Sequence, residues 1–480
     1  MLLFSSLSMI AARAAKCRRC LLLLCVPLSA TAQETLDAQM QRAHAQSATP
    51  VLAWATLERR GSTWHRRGDV LGAAEATPLR WGSITKTVTA LTVLRVAAAR
   101  SIDISDPLAR HVTARHWTNP WHAQQPLRLL HLLELTAGLP DLSGREFDHN
   151  TPVTLAEALA LAPERRTLLW PPGTHHSYSN LVPGLSQLFV ETVTGDTYAA
   201  AATRHVLTPL GMRGAFFTPH AGFRSPPLPG GFQADGATPI PYWHMTFPAY
   251  GALNAPLDAL VKLLSHLADT RSPALLPAER QRLFTPATTL GARRDFGFSY
   301  AAGLYPRVRR GFVWWTHGGD ADGYRSRLAL LPGHDRGYVV AINVDDPGLL
   351  RRLERRLEAH LVKALQPPPP PAAPGLDPGT LAALSGTYYP ATTRFRVDPW
   401  QSGDLKVATV APGADGSHLV FRRGSRAQAL LPVTDRQFRR PDDPVATVVF
   451  VADGEQLYLQ GELGNFRRVD KAAVAGAEKR

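Results

Sequence analysis

Apolar residues recur at intervals of three and four along several stretches of this 480-residue chain. This is the spacing of one face of an α-helix. The longest such run follows Ser83 and ends near Ala99, and a run of leucines from Leu350 to Leu365 has arginine and glutamate on its other faces. The pattern predicts helices over residues 34–47, 83–99, 127–135, 152–162, 185–193, 256–268 and 350–365.

Short apolar runs bounded by turn-forming residues predict strands elsewhere. Residues 51–67 predict a hairpin around Gly61, and residues 311–344 predict three strands in succession. The sequence His317 to Asp320 is expected to interrupt the first of these three. Strands that follow one another without intervening helices form an antiparallel meander, so a βαβ arrangement is not indicated here.

The C-terminal part of the chain has a different pattern. A proline-rich stretch, residues 366–379, predicts a stiff linker. Residues 380–470 then predict many short strands, typical of a small β-barrel or sandwich, and residues 471–480 predict a frayed tail. We expect residues 33–365 to form their own core. No cluster in the C-terminal domain suggests catalysis.

The first 32 residues have the layout of a secretory signal peptide. Four basic residues precede the apolar run Leu21–Leu28, and an Ala-x-Ala site ends at Ala32. Translation from Met1 or from Met9 fits this layout equally. All three cysteines lie in this segment, so the mature chain is expected to have no disulfide. We expect cleavage after Ala32 and export to the periplasm or the exterior, without a stable membrane anchor.

The net charge is +14, and the arginines are scattered in pairs. A solvated basic surface is therefore favoured over a nucleic-acid interface, with weak attraction to anionic envelope polymers. No metal or cofactor is predicted, because no histidine or carboxylate spacing suggests one. His175 and His176 are expected on a loop surface.

The first candidate for chemistry is Ser83-x-x-Lys86 at the head of the longest helix. Residues three apart share a helix face, which puts an amine beside a hydroxyl. A buried lysine can lose its proton and activate the serine, whereas arginine cannot. The chain has seven lysines against 46 arginines, which makes a lysine at 86 notable. The alternative is an ordinary helix start, with Ser83 as N-cap and Lys86 in water.

Two further segments carry candidate groups. Tyr178 could act as a base if a nearby lysine lowers its pKa, and Asn180 could donate to a substrate carbonyl. The alternative is a packed tyrosine and an N-cap asparagine. His317, beside Gly318 and Gly319, could relay protons at a strand edge, or lie in a surface turn. An unperturbed histidine would gain charge in mild acid.

Together these motifs resemble the serine β-lactamase and penicillin-binding-protein family, and most closely its class C branch with DD-peptidase, D-aminopeptidase and esterase relatives. The flanking runs Leu127–Asp141, Pro172-Gly173 and Gly323-Tyr324 are similar too. The resemblance covers residues 35–365. It implies an α/β (α+β) fold, with an antiparallel sheet flanked by helices and a helical subdomain. The C-terminal domain resembles the lipocalin-like domain that is often fused to such enzymes.

The resemblance also implies roles. Ser83 matches the nucleophile, Lys86 its partner, and Tyr178 the base that passes a proton to the leaving group. Asn180 matches a substrate amide contact. The backbone N–H groups of Ser83 and Asp320 would form the oxyanion hole.

One segment departs from the family pattern. His317, Gly318 and Gly319 stand where many members carry Lys-Thr-Gly, which binds a substrate carboxylate. Loss of one charge-assisted hydrogen bond costs about 1.5–3 kcal/mol. We therefore expect an acyl-enzyme hydrolase that prefers esters. The alternatives are a D-specific peptidase or weak β-lactamase, and a catalytically inactive envelope-binding protein. The expected substrate is a small ester, amide or D-amino-acid peptide.

Overall fold

A computed structural model describes residues 34–147, 149–217, 228–394 and 407–469, apart from the side chain of Arg145. The predicted signal peptide and the predicted tail lie outside these residues. The described helices are α1 (Leu36–Ala45), α2 (Thr85–Ala99), α3 (Leu129–Leu133), α4 (Leu155–Ala160), α5 (Leu181–Thr194), α6 (Tyr198–Ala202), α7 (Pro248–Gly251), α8 (Leu257–Ala268), α9 (Pro277–Phe284), α10 (Pro347–Val362) and α11 (Pro378–Leu384).

The described strands fall into a large sheet, two small sheets and a barrel. They are β1 (Leu52–Arg60), β2 (Thr63–Leu71), β3 (Leu79–Arg80), β4 (Phe216–Phe217), β5 (Gly231–Phe232), β6 (Pro239–Ile240), β7 (Leu253–Ala255), β8 (Tyr305–Arg309), β9 (Phe312–Ala321), β10 (Tyr324–Leu331), β11 (Arg336–Ile342), β12 (Gly386–Pro390), β13 (Ala408–Pro412), β14 (Leu419–Arg423), β15 (Arg426–Pro432), β16 (Gln437–Arg439), β17 (Val448–Asp453), β18 (Gln456–Gly461) and β19 (Phe466–Val469).

The large sheet has the order β2-β1-β11-β10-β9-β8, and all its pairs are antiparallel. The predicted hairpin and meander are confirmed. One detail is wrong: β9 continues through His317 to Ala321, because these residues pair in register with β10. The sheet also gains β8, which the sequence pattern did not indicate.

Helices cover both faces of this sheet, as expected. Alternation along β1 explains how: Ala53 and Ala55 face one core with α8, while Leu52 and Trp54 face another with α1 and α10. The first core continues into a helical subdomain, where α2 packs against α5 and α7. The turn Gly82–Ile84, just before α2, contacts β9 and β10, so α2 begins where the sheet meets the subdomain.

Strands β12 to β19 close into a barrel around a core of aliphatic and aromatic side chains. Helix α11 contributes Leu381 and Leu384 to that core, so the helix begins inside the segment predicted as linker. Val449 of β17 packs against Phe296, Phe298 and Val308 of the preceding domain. The predicted fold class is confirmed, with the barrel as its C-terminal part.

Among the helices of the described residues, none is both long enough and apolar enough to cross a membrane.

Candidate active site

Ser83 lies in a 3₁₀ turn, Gly82–Ile84, that leads directly into α2. Gly82 has a φ of +52°, and a Cβ there would lie 2.7 Å from the backbone N and O atoms of Asp320. Glycine thus allows the turn to touch β9. The N-cap alternative for Ser83 is wrong, because Ile84 occupies that position and no side chain caps the helix.

Lys86 is 3% exposed, so the alternative that places it in water is also wrong. Its Nζ lies 3.1 Å from Ser83 Oγ, 2.8 Å from Asn180 Oδ1 and 2.8 Å from the Tyr250 carbonyl oxygen. Desolvation lowers the pKa of Lys86 well below its usual value. A neutral amine has two N–H donors, which match the two carbonyl acceptors. Its lone pair is then left for the hydroxyl proton of Ser83.

Tyr178 hydrogen-bonds to Ser83, and its ring centroid lies 4.8 Å from Lys86 Nζ. The expectation that a lysine lowers its pKa is wrong. The tyrosine is partly exposed at the cavity wall, but desolvation dominates and raises the pKa of its phenol. Tyr178 therefore stays protonated and can pass a proton rather than hold a stable negative charge.

Asn180 stands at the start of α5, but its side chain does not cap the helix. Asp141, which is fully buried, accepts a hydrogen bond of 2.6 Å from the backbone N–H of Asn180. It also accepts one of 2.8 Å from Nε of Arg394. Asp141 and Arg394 were not singled out from the sequence. Arg394 lies in the C-terminal part, so periodicity gave no signal for it.

His317 is 1% exposed, which excludes a surface turn. Its Nδ1 lies 2.6 Å from the Gly318 carbonyl oxygen, which can only accept, so Nδ1 carries the proton. Its Nε2 then accepts from the Tyr300 hydroxyl at 2.9 Å. Burial lowers the pKa of His317 to about 3. The expectation that mild acid charges this histidine is wrong.

The three residues that follow His317 have different surroundings. A Cβ on Gly318 would lie 2.5 Å from Nη1 of Arg327, so a guanidinium takes the space of a Thr side chain. A Cβ on Gly319 would lie 1.9 Å from the Trp81 carbonyl oxygen, so Gly319 serves close packing behind the site. Asp320 is exposed, and its carboxylate pairs with Arg325 at 2.8 Å.

These residues line a cavity of about 780 Å³. Of the predicted site residues, the lining includes Ser83, Tyr178, Asn180, His317, Gly318 and Asp320, whereas Lys86 lies behind the wall and Gly319 faces away. Within the part of the chain that is described, no group of three or more His, Cys, Asp or Glu could hold a metal ion.

The barrel forms part of the same wall, which was not expected. Gln460, Glu462 and Asn465 line the cavity. His175 is buried rather than exposed, and its Nδ1 lies 2.7 Å from Gln460 Nε2. His176 stacks on Tyr300 with ring centroids 5.1 Å apart. Burial lowers the pKa of both histidines to about 4, so the surface expectation for them is wrong.

Comparisons with known proteins give a consistent result. A family model described as Beta-lactamase matches residues 34–363. Protein flp of Staphylococcus aureus (strain MW2) is 24% identical over 297 residues, which cover 60% of this chain and 58% of flp. The chain thus spans less than two thirds of the length of this curated relative.

Two solved structures share the fold over most of the chain. SurE with D-Leu has a TM-score of 0.56 and 21% identity, and the match covers 90% of this chain and 98% of SurE. The octameric penicillin-binding protein homologue from Pyrococcus abyssi has a TM-score of 0.55 and 18% identity, with 90% and 99% covered. Both matches exceed residues 34–363, so they include part of the barrel.

Proposed function

Because this chain belongs to the beta-lactamase family of serine hydrolases, we propose that it cleaves small esters through an acyl-enzyme on Ser83, after export from the cytoplasm. The observation that carries this proposal is the 3.1 Å contact between Lys86 Nζ and Ser83 Oγ in a desolvated site. An amine whose two carbonyl acceptors fix its orientation is a general base ready for the serine proton.

In the acylation step, the Ser83 hydroxyl gives its proton to Lys86, and Oγ attacks the carbonyl carbon of the substrate. The backbone N–H groups of Ser83 and Asp320 hold the developing oxyanion. The C–O bond to the leaving group breaks as the proton reaches that oxygen through Tyr178. Water then attacks the acyl carbon, gives a proton back along the same path, and releases the acid with Ser83 restored.

The preference for a neutral ester rests on the segment at 317–319. His317 stays uncharged, since the pKa of its imidazole is about 3, and Gly318 offers no hydroxyl. Neither residue supplies the cation and hydroxyl that hold a carboxylate in Lys-Thr-Gly enzymes. The proposal therefore places β-lactams below esters as substrates.

A fluorophosphonate probe tests the nucleophile. The wild type should gain the probe mass on the peptide that carries Ser83, and Ser83→Ala should lose both labelling and turnover. Ser299→Ala is the matched control, because Ser299 lines the same cavity and no lysine of the described residues joins it in that lining. Labelling that persists in Ser83→Ala and disappears in Ser299→Ala would refute the assignment. An unlabelled, inactive wild type would favour the envelope-binding alternative.

A D-specific peptidase is the second candidate, favoured by one observation. The Arg394 guanidinium lines the cavity, with its carbon 5.1 Å from the Tyr178 ring centroid, and could attract an anionic substrate group. SurE, which shares the fold, was solved with D-Leu.

A substrate panel separates the candidates. We expect p-nitrophenyl butyrate to exceed D-amino-acid p-nitroanilides and a chromogenic cephalosporin in kcat/KM. The ratio of anionic to neutral substrates should stay flat from about pH 5.5 to 8, because His317 does not titrate there. Faster cleavage of the D-anilides would favour the peptidase.

Export has a separate test. Osmotic-shock fractionation should release the protein, and its first residue should be Gln33. A cytoplasmic protein that retains residues 1–32 would contradict export and leave the chemistry at Ser83 unaffected.

A further inference from the structure

The barrel holds the loop that carries Tyr178 and Asn180. Gln460 of β18 donates to the Thr174 carbonyl oxygen at 2.9 Å, and Asn465, just before β19, donates to the His176 carbonyl oxygen at 2.8 Å. These contacts come from polar side chains and fix the backbone of the loop. The barrel is therefore bonded to the catalytic loop as well as packed beside it.

Arg394 makes a deeper connection. It lies four residues after β12, the first barrel strand. Its backbone oxygen accepts from the Asp141 N–H at 2.7 Å, and its Nε donates to Asp141 Oδ2 at 2.8 Å. The same carboxylate orients Asn180, and Asn180 Oδ1 accepts from Lys86. A continuous chain of hydrogen bonds thus runs from the barrel to the amine beside Ser83.

We propose that Arg394 is a positioning residue that, through Asp141 and Asn180, keeps Lys86 ready to accept the proton of Ser83, so that the barrel completes the catalytic site. The inference rests on the proposed acyl-enzyme chemistry at Ser83. It makes the C-terminal domain part of the catalytic unit, instead of an appended module.

Charge supports this geometry. Desolvation has the largest effect and lowers the pKa of Lys86; the charge of Asp141 opposes it, and the charge of Arg394 lowers the pKa further. Loss of the guanidinium would remove a nearby cation and leave the Asp141 carboxylate uncompensated, and both changes favour the ammonium form of Lys86. The other groups around Lys86 are Ser83, Asn180, the rings of Tyr178 and Tyr250, and His317.

The test is the rate of fluorophosphonate labelling at Ser83 against pH, in the full chain. On the acid side of this pH profile (the acid limb), the rate falls as the amine of Lys86 becomes protonated and can no longer take the serine proton. Arg394→Gln should move this limb to higher pH and slow labelling several-fold in mild acid, with recovery in mild alkali. Arg394→Lys keeps the charge and should leave the limb near that of the wild type.

Two controls separate charge from structure. Arg307→Gln removes another arginine that lines the cavity but does not act on the pKa of Lys86, so the limb should not move. Gln460→Ala weakens the barrel contact without a charge change, so labelling should slow equally at every pH. The inference is overturned if the pH profile of labelling for Arg394→Gln superimposes on that of the wild type. It is also overturned if Gln460→Ala shifts the acid limb of the profile as much as Arg394→Gln does. An unlabelled wild type would instead overturn the proposed function and this inference with it.

Discussion

Burial sets the protonation states of the side chains around Ser83. It lowers the pKa of Lys86 and of His317 and raises the pKa of Tyr178, in each case because the charged form loses its hydration. An uncharged amine, an uncharged imidazole and a neutral phenol therefore surround the serine. Such a site can move a proton among its own groups without storing a net charge.

Lys86→Arg tests whether the residue must lose its proton. Arginine keeps its charge at working pH, so it cannot take the serine proton, and turnover should fall by about 10²–10⁴-fold. Steady-state hydrolysis of p-nitrophenyl butyrate measures this effect, and circular dichroism checks the fold. The matched control is Lys262→Arg, because Lys262 is an exposed lysine on α8. Near-normal activity in Lys86→Arg would show that a positive charge is sufficient.

Among the elements, β9 and the turn before α2 form the contact that builds the site. Gly82 and Gly319 lie on its two sides, and a Cβ on either would strike backbone of the other side. The turn that carries Ser83 therefore lies against the backbone of Asp320, an approach that the proposed oxyanion hole requires. Rebuilding the family's Thr at 318 is disfavoured, because Arg327 fills that space and pairs with Glu354.

Gly319→Ala tests this contact. A Cβ 1.9 Å from the Trp81 carbonyl oxygen must push β9 away from the turn, at a cost of about 1–3 kcal/mol. We expect a lower Tm and a drop of at least about tenfold in kcat/KM, since displacement of a few tenths of an ångström or more misplaces the oxyanion donors. Gly333→Ala, in the turn before β11, meets nothing within 4 Å and should match the wild type. Equal activity of the two variants would show that the contact does not position Ser83.

At the scale of the whole molecule, the cavity belongs to two structural parts. One wall comes from the sheet and the helical subdomain, and the other from the barrel. Two contacts join the barrel to the preceding domain and are called its seat below. Val449 packs against Phe296, and the Gly291 N–H donates a hydrogen bond of 2.8 Å to Gln460 Oε1. A change at this seat should reach the chemistry through the loop that carries Tyr178.

Gly291→Ala tests that dependence. Its Cβ would lie 2.8 Å from Cγ1 of Val449 and 3.3 Å from Oε1 of Gln460, so either the loop or these barrel side chains must move apart. We expect kcat/KM to fall several-fold, with the thermal transition lowered by a few degrees. Gly297→Ala lies in the same loop with nothing within 4 Å and serves as the control. If Gly291→Ala keeps full activity despite a lower Tm, the seat of the barrel does not matter for catalysis.

Local patterns determined much of this protein. Helical periodicity placed α2 and α10, turn residues placed the antiparallel meander, and the spacing of Ser83 and Lys86 put both on one face of a helix turn. These features depend on neighbours in sequence, which share a backbone geometry whatever lies around them. The resemblance in three separated motifs predicted the site residues and the family. The family model agrees with the predicted family.

The tertiary structure decided what depends on distant neighbours. The pKa of Tyr178 moves opposite to the sequence-based expectation, because desolvation outweighs the hydrogen bond with Ser83 and the charge of Arg394. His175 is buried by Gln460, a residue 285 positions away. Arg394 pairs with Asp141 across 253 positions, and no local sequence pattern around either residue predicts this pair. Burial and long-range charge are properties of packing, so the electrostatics of Lys86 depend on Arg394, which only the tertiary structure brings to Asp141.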